Sequence, residues 1–119
     1  YGTWDMAMRA PGRFAALAPV CGGVVHPRRP SMGVSGIAGA AGPYAAVAAR
    51  LKDTPVWQFH GALDDVVSPD YSRQMNAALQ AAGARDARLT IFPDANHNSW
   101  DATYSQTPEL WTWLFAQKR

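Results

Sequence analysis

The sequence has a single cysteine, Cys21, and lacks both long apolar runs and clusters of like charge. One thiol excludes an intrachain disulfide and a zinc site built from several cysteines. No stretch approaches the roughly 20 apolar residues of a membrane-spanning helix, so we expect no membrane span. The net charge is only +2, and no run of Lys and Arg is interleaved with aromatic residues. Nucleic-acid binding is therefore not expected.

The 119 residues suffice for one domain and not for two. The hydrophobic content of 48% and charged content of 17% are typical of a globular protein rather than a disordered one. The segment 24–43 is rich in Gly, Pro, Ser and Ala, which predicts a loop or a small insertion. The rest of the chain shows the patterns of regular secondary structure.

Short apolar runs alternate with amphipathic segments along the chain. The runs predict buried strands over 14–20, 55–59 and 87–92, and helices are predicted over 2–10, 44–51 and 69–82 and from Pro108 onward. Ser68 and Gly83 have the residue types that favour the start and end of the third helix. Alternation of this kind predicts the α/β class, with a parallel sheet and helices on both of its faces.

Aromatic and leucine side chains in these elements are candidate core residues. We expect Trp4 and Trp57 to be buried. The last helix has Leu110, Trp111, Leu114 and Phe115, and we expect this apolar side to face the core.

Two carboxyl-end loops contain side chains suited to acid–base chemistry. The loop HGALDDVV after the second strand holds Asp64, and the loop PDANHNSW after the third holds His97. The carboxyl ends of neighbouring parallel strands lie at one edge of the sheet, where ligands bind. A carboxylate there can orient one imidazole nitrogen so that the other acts as a base. The spacing from His60–Gly61 favours Asp64 over Asp65, which we expect to be solvated or to cap the loop.

A metal site could be assembled from His60, Asp64, Asp94 and His97, but no tight ligand spacing supports it, so no metal or cofactor is expected. His60 is better explained as a structural residue that bonds the backbone of the acid loop. Cys21 is interpreted as a small buried apolar residue.

The third member of a Ser–Asp–His triad is not evident in the sequence. No serine lies in a Gly-x-Ser-x-Gly elbow. Ser35 comes nearest, but Gly36 follows one residue too early and no apolar strand precedes it. We therefore expect the nucleophile to precede Tyr1, and we expect the chain alone to be inactive.

Four ordered motifs together resemble one family. They are the opening YGTWDMAMRAPGRFAALAPVCGG, the acid loop PVWQFHGALDDVV, the histidine loop PDANHNSW and the closing PELWTWLFAQKR. This combination is similar to the peptidases and carboxylesterases of the α/β-hydrolase superfamily that are related to polyhydroxybutyrate depolymerases and feruloyl esterases. In that family a G-x-S-x-G-G elbow runs directly into Y-G-T-W.

The resemblance implies a fold and an activity. Residues 1–119 would form the C-terminal part of one α/β-hydrolase domain, with Asp64 as triad acid and His97 as triad base. The implied reaction is cleavage of small or polymeric carboxylic esters, or of peptides, through an acyl-enzyme without a cofactor. Trp100, three residues after His97, is a candidate substrate-binding residue. The family also favours export from the cell.

One alternative from another functional class stays open. A hydrolase-like binding module without a nucleophile would keep the same motifs and catalyse nothing. The oligomeric state and the choice between esterase and peptidase are not determined by these residues.

Overall fold

A computed structural model describes residues 1–34 and 42–118 of the chain. The elements are, in order, α1 (Gly2–Arg9), a 3-10 turn (Pro30–Met32), α2 (Pro43–Leu51), β1 (Val56–Gly61), α3 (Pro69–Ala81), β2 (Ala87–Phe92), α4 (Trp100–Gln106) and α5 (Pro108–Ala116). Ser35 and part of the predicted 24–43 loop lie outside the described residues. None of the described helices has the length and hydrophobicity that a membrane crossing requires.

Strands β1 and β2 pair in parallel, with Val56 opposite Ala87 and Gly61 opposite Phe92. Parallel pairing is what the alternation of strands and helices predicts, and it brings the carboxyl ends of both strands to the same edge. β1 begins one residue later and ends two residues later than predicted, because His60 and Gly61 continue the ladder instead of ending it.

The prediction of a strand over 14–20 is wrong. The segment forms two isolated parallel bridges, Leu17 with Val56 and Val20 with Phe59, and no continuous strand. The Leu17 N–H donates to the Pro55 carbonyl at 2.9 Å, and the Cys21 N–H donates to the Phe59 carbonyl at 2.8 Å. Pro19 lies between these two donors and has no N–H, so the ladder is interrupted there. The segment still lies along β1 and brings Cys21 to the carboxyl-end edge.

Helices cover both faces of this sheet, as predicted. On one face Val56 and Leu17 join a core with α1, α2 and α3, in which Trp4 is buried. On the other face Phe59 packs against Leu110 and Trp113 of α5. The two cores explain why β1 is largely buried on both sides, as expected of a strand in a parallel sheet.

The signals at the ends of α3 are confirmed. The Ser68 hydroxyl accepts a hydrogen bond from the Asp70 N–H at 3.2 Å, which satisfies one of the free donors of the first turn. Gly83 has a φ of +74°, the left-handed conformation that glycine adopts without strain after a helix.

The C-terminal region differs from the prediction in two respects. Helix α4 was not predicted, because among its seven residues only Thr103 is buried and no apolar stripe marks it. In α5 the expected apolar side is half right. Leu110 is buried and Leu114 packs against the same core, but Trp111 and Phe115 are 40% and 81% exposed. The buried pair is Leu110 and Trp113, which are three residues apart and share a helix face.

Candidate active site

Asp64 and His97 lie in contact at the carboxyl-end edge of the sheet. Nδ1 of His97 is 2.9 Å from Oδ2 of Asp64. The Asp64 carboxylate is fully buried, whereas 35% of the His97 side chain is exposed. Among the described residues, none forms a hydrogen bond with Nε2 of His97. One ring nitrogen is therefore held by the carboxylate, and the other is open to a reacting group.

The contact depends on a close approach between the two loops at Gly61. A Cβ at this position would overlap the carbonyl oxygens of Ala95 and Asn96. The approach is maintained by the Leu63 N–H, which donates to the Ala95 carbonyl at 2.9 Å, and by the Ala62 N–H, which donates to Phe92 at the same distance. The absence of a side chain at Gly61 thus allows the histidine loop to lie beside the acid loop.

Hydrogen bonds keep the Asp64 side chain ionised and oriented. Its Oδ1 accepts from the N–H groups of Val66 and Val67, both at 2.9 Å. Burial by itself raises the pKa of Asp64, but the hydrogen bonds from His97, Val67 and Val66 together lower it below its ordinary value. A buried carboxylate that remains charged is suited to stabilising an imidazolium on His97.

The neighbouring carboxylate, Asp65, lies elsewhere. It is exposed and lines a separate cavity of about 410 Å³ together with Tyr1, His26 and Tyr71. Of the two acids that the sequence offers, only Asp64 forms a hydrogen bond with His97 among the described residues.

His60 is completely buried, and both of its ring nitrogens have partners. Nδ1 lies 2.7 Å from the Ser72 hydroxyl, and Nε2 lies 2.8 Å from the Val67 carbonyl and 3.2 Å from Oδ2 of Asp64. When Nε2–H donates to the Val67 carbonyl, Nδ1 can accept a hydrogen bond from the Ser72 hydroxyl. His60 therefore connects β1, the acid loop and α3.

Trp100 is the first residue of α4 and lies next to the candidate base. Its ring is 5.7 Å from the His97 ring, centre to centre, in an edge-on arrangement at 83°. The side chain is 41% exposed. An aromatic surface thus lies beside the open nitrogen of His97.

Cys21 and Ser99 also belong to this site, although the sequence assigned them no role there. Cys21 is half-buried. Its backbone has a positive φ of 44°, which is uncommon for a residue with a side chain. Burial and the negative charge of Asp64 raise the pKa of the Cys21 thiol, and the neighbouring Ser99 hydroxyl opposes that rise. Cys21 ends the segment paired with β1, and this position brings it to the same edge of the sheet as Asp64 and His97.

The four-residue metal set considered from the sequence is not brought together. Both nitrogens of His60 are occupied. Within the part of the chain that the structure describes, the side chains close enough to share one metal ion are Cys21, Asp64 and His97.

Comparisons with known proteins support the α/β-hydrolase fold. Residues 38–118 match the model of the prolyl oligopeptidase family. The crystal structure of a thermostable esterase is similar over 100% of the chain, with 32% identity and a TM-score of 0.77. A protein assigned as a dienelactone hydrolase from Klebsiella pneumoniae is similar over 96% of the chain, with 25% identity and a TM-score of 0.61. No curated protein matches the chain significantly.

The chain spans 28% of the esterase and 45% of the dienelactone hydrolase. Because the family match covers residues 38–118 and includes both the acid loop and the histidine loop, it includes Asp64 and His97. The prediction of an α/β-hydrolase fold is confirmed, and the chain belongs to the prolyl oligopeptidase family of that superfamily.

Proposed function

We propose that this chain supplies the acid and the base of a serine hydrolase that cleaves carboxylic esters. The observation that carries the proposal is the 2.9 Å contact between Asp64 and Nδ1 of His97, which leaves Nε2 of the half-exposed ring open. Residues 1–119 then form the C-terminal part of one α/β-hydrolase domain, and the nucleophilic serine precedes Tyr1.

The proposed reaction passes through an acyl-enzyme. The serine hydroxyl attacks the ester carbonyl while His97 accepts its proton at Nε2. Asp64 stabilises the resulting imidazolium through Nδ1–H and holds the ring in the required orientation. His97 then donates the proton to the leaving alcohol. In the second half of the reaction, His97 activates the water that hydrolyses the acyl-enzyme.

The surroundings of Tyr1 support the position of the nucleophile. Tyr1 is the N-cap of α1, and its ring lies against Gly23, where a Cβ would be too close to it. The backbone nitrogen of Tyr1 lies near the Cys21 side chain. A serine a few residues before Tyr1 would thus arrive beside Cys21, Asp64 and His97, close to the positive end of the α1 dipole.

The choice of esters rests on the whole-chain similarity to a thermostable esterase. Peptides are the competing substrate class, because the family is named for an oligopeptidase. Both substrates proceed through the same acyl-enzyme, so the pair Asp64–His97 serves either. Trp100 is proposed to contact the substrate, since its exposed ring lies beside His97.

The test uses the longest natural protein that contains this chain. Its rates on p-nitrophenyl esters of increasing acyl length are compared with its rates on peptide p-nitroanilides. The proposal predicts ester turnover that exceeds peptide turnover. Faster peptide cleavage would replace the esterase with a peptidase. Absence of turnover on both classes in a folded protein would favour a non-catalytic binding module.

The chain of 119 residues provides the matched control. Without the serine it lacks both the nucleophile and the oxyanion donor that follows the nucleophile in the elbow. We expect it to show no turnover above background.

A further inference from the structure

Cys21, Asp64 and His97 place one sulfur, one oxygen and one nitrogen donor around a common point. One ligand atom from each side chain lies within 4.8 Å of the other two. The three residues come from three separate carboxyl-end segments, so the cluster is a product of the fold and not of local sequence. The triad needs the Asp64–His97 pair, but it makes no use of the Cys21 thiol.

A second observation at the same place is the Ser99 hydroxyl. Ser99 is 1% exposed, and its Oγ has no hydrogen-bond partner of good geometry among the described residues. It nevertheless interacts with the Cys21 thiol. A buried hydroxyl without a well-formed hydrogen bond is costly, and a thiolate beside it would be a strong acceptor. The Ser99 hydroxyl therefore lies beside Cys21 without a well-formed partner, and it could donate to a Cys21 thiolate.

We propose that Cys21, Asp64 and His97 bind one divalent ion of the zinc class, and that this ion inhibits the enzyme by occupying its base. The inhibitory part rests on the proposed hydrolase function, whereas the binding part does not. Regulation of this kind would couple ester cleavage to the availability of a thiophilic metal.

The donor set selects the class of metal. Thiolate, imidazole and carboxylate together suit Zn²⁺ and related ions, whereas Mg²⁺ and Ca²⁺ prefer oxygen ligands alone. With metal–ligand distances of about 2.0–2.3 Å, the ligand atoms of a tetrahedral site are roughly 3.3–3.8 Å apart. Small side-chain movements of Cys21 and His97 would close the present separations to that range. Water would complete the coordination.

Charge also favours a cation at this point. A divalent ion would compensate the negative charges of the Asp64 carboxylate and of a Cys21 thiolate, whose ligand atoms lie close together. Metal binding releases the thiol proton to solvent, so affinity falls as pH decreases. The ring nitrogen that binds the ion cannot accept a proton from the serine, or cannot be oriented by Asp64, and catalysis stops in either case.

The binding test titrates the metal-free protein containing this chain with Co²⁺. Because Cys21 is the only cysteine of the chain, the near-ultraviolet thiolate-to-cobalt band of the chain would report on it. We expect one Co²⁺ per chain, displaced by Zn²⁺, and loss of the band in Cys21→Ser. His97→Gln should weaken binding by roughly tenfold or more. Asp65→Asn is the matched control and should bind like wild type.

Two results would overturn the site. One is absence of a Cys21-dependent band at saturating Co²⁺, and the other is unchanged Co²⁺ affinity in folded His97→Gln. Alkylation of the wild type tests the site without any variant, so the result does not depend on whether the variants fold. Zn²⁺ should slow the alkylation of Cys21 by iodoacetamide, and the decrease in rate should follow the fraction of the site that is occupied. An unchanged alkylation rate would also reject the site.

The activity test separates this inference from the proposed function. Zn²⁺ should stop ester hydrolysis by wild type at the concentration that fills the Co²⁺-defined site, and Cys21→Ser should require a higher concentration. Equal inhibition of both proteins would contradict regulation through this site. A protein that binds Co²⁺ as predicted but hydrolyses nothing would refute the proposed function and leave the metal site standing.

Discussion

The end of β1 and the loop after β2 each bring a histidine to the same carboxylate oxygen of Asp64. The two residues, His60 and His97, differ in how many of their ring nitrogens have partners. Around His60 every polar atom of the ring is used, by Ser72, Val67 and Asp64. Around His97 only Nδ1 has a partner among residues 1–34 and 42–118, and the side chain is 35% exposed. The first region is closed and the second is open.

The difference shows how one carboxylate can serve both structure and chemistry. The hydrogen bonds from Val66 and Val67 fix Asp64 on the side of its Oδ1. That leaves Oδ2 to face both rings. A histidine whose two nitrogens are saturated contributes to folding, whereas one with a free nitrogen can transfer a proton. Position relative to Asp64 does not distinguish the two residues; the unused nitrogen does.

Substitution of the open histidine should have the largest effect. In the intact hydrolase, His97→Gln removes the base, and we expect kcat to fall by roughly a millionfold with little change in stability. His60→Gln in the closed region should mainly lower the melting temperature, and its folded fraction should keep most of its activity. Kinetics on a p-nitrophenyl ester and thermal unfolding measure both effects. Greater loss of kcat in His60→Gln than in His97→Gln would reverse the assignment.

Substitution of the shared carboxylate, Asp64, should have the second-largest effect. Asp64→Asn retains the size of the side chain but cannot stabilise the imidazolium, and we expect a decrease in kcat of roughly ten-thousandfold. Asp65→Asn, one residue along in an exposed position, should keep wild-type kcat. If Asp65→Asn lost activity to the same degree, the acid would have been assigned to the wrong residue.

The contact between the two loops can be broken without changing either histidine. Gly61→Ala places a Cβ against the carbonyl oxygens of Ala95 and Asn96, so the histidine loop must move. We expect a loss of about 1–3 kcal/mol in the free energy of unfolding, typical of overpacking. Activity should decrease at temperatures where the variant is fully folded, because His97 is displaced from Asp64. Chemical denaturation and kinetics together check this.

Gly83→Ala is a useful comparison for that substitution. Gly83 has a positive φ but open space around its Cβ position. The Gly83→Ala variant should lose stability through backbone strain and retain full activity. Equal losses of activity in both variants would show that the approach at Gly61 has no special role in positioning His97.

Lowering the pH should remove a smaller contribution that ionised Asp64 makes to folding stability. The pKa of Asp64 is lowered in the folded state, so its ionised form stabilises folding above the unfolded value of about 3.9. This stabilisation disappears as pH falls through the lowered folded value. The melting temperature of wild type should therefore decrease more between about pH 6 and pH 3 than that of Asp64→Asn. Identical pH dependence in the two proteins would contradict the ionised state of Asp64.

Much of the fold was predictable from local patterns. The apolar runs of β1 and β2 and the end signals Ser68 and Gly83 correspond to what the structure shows. The segment 14–20 was predicted as a strand because periodicity registers its apolar side chains and not the missing N–H of Pro19. Helix α4 was missed since it buries too little to leave a pattern.

The site was predictable in part. The rule that parallel strands end at one edge was sufficient to pair Asp64 with His97. It did not reveal which groups occupy the two nitrogens of His60, because tertiary packing brings Ser72 and the Val67 carbonyl to that ring. The burial of Trp113 in place of Trp111 has a similar cause. Trp113 donates a hydrogen bond to Asp86 at 3.0 Å, a partner 27 residues away in sequence.

The central claim is that the open nitrogen of His97 activates a serine outside this chain. The most direct measurement is labelling of the intact protein with a fluorophosphonate, followed by peptide mass mapping. The account predicts one adduct, on a serine N-terminal to Tyr1, whose formation is abolished by His97→Gln and retained in His60→Gln. No adduct on the folded wild type, an adduct within residues 1–119, or labelling that persists in His97→Gln would contradict it.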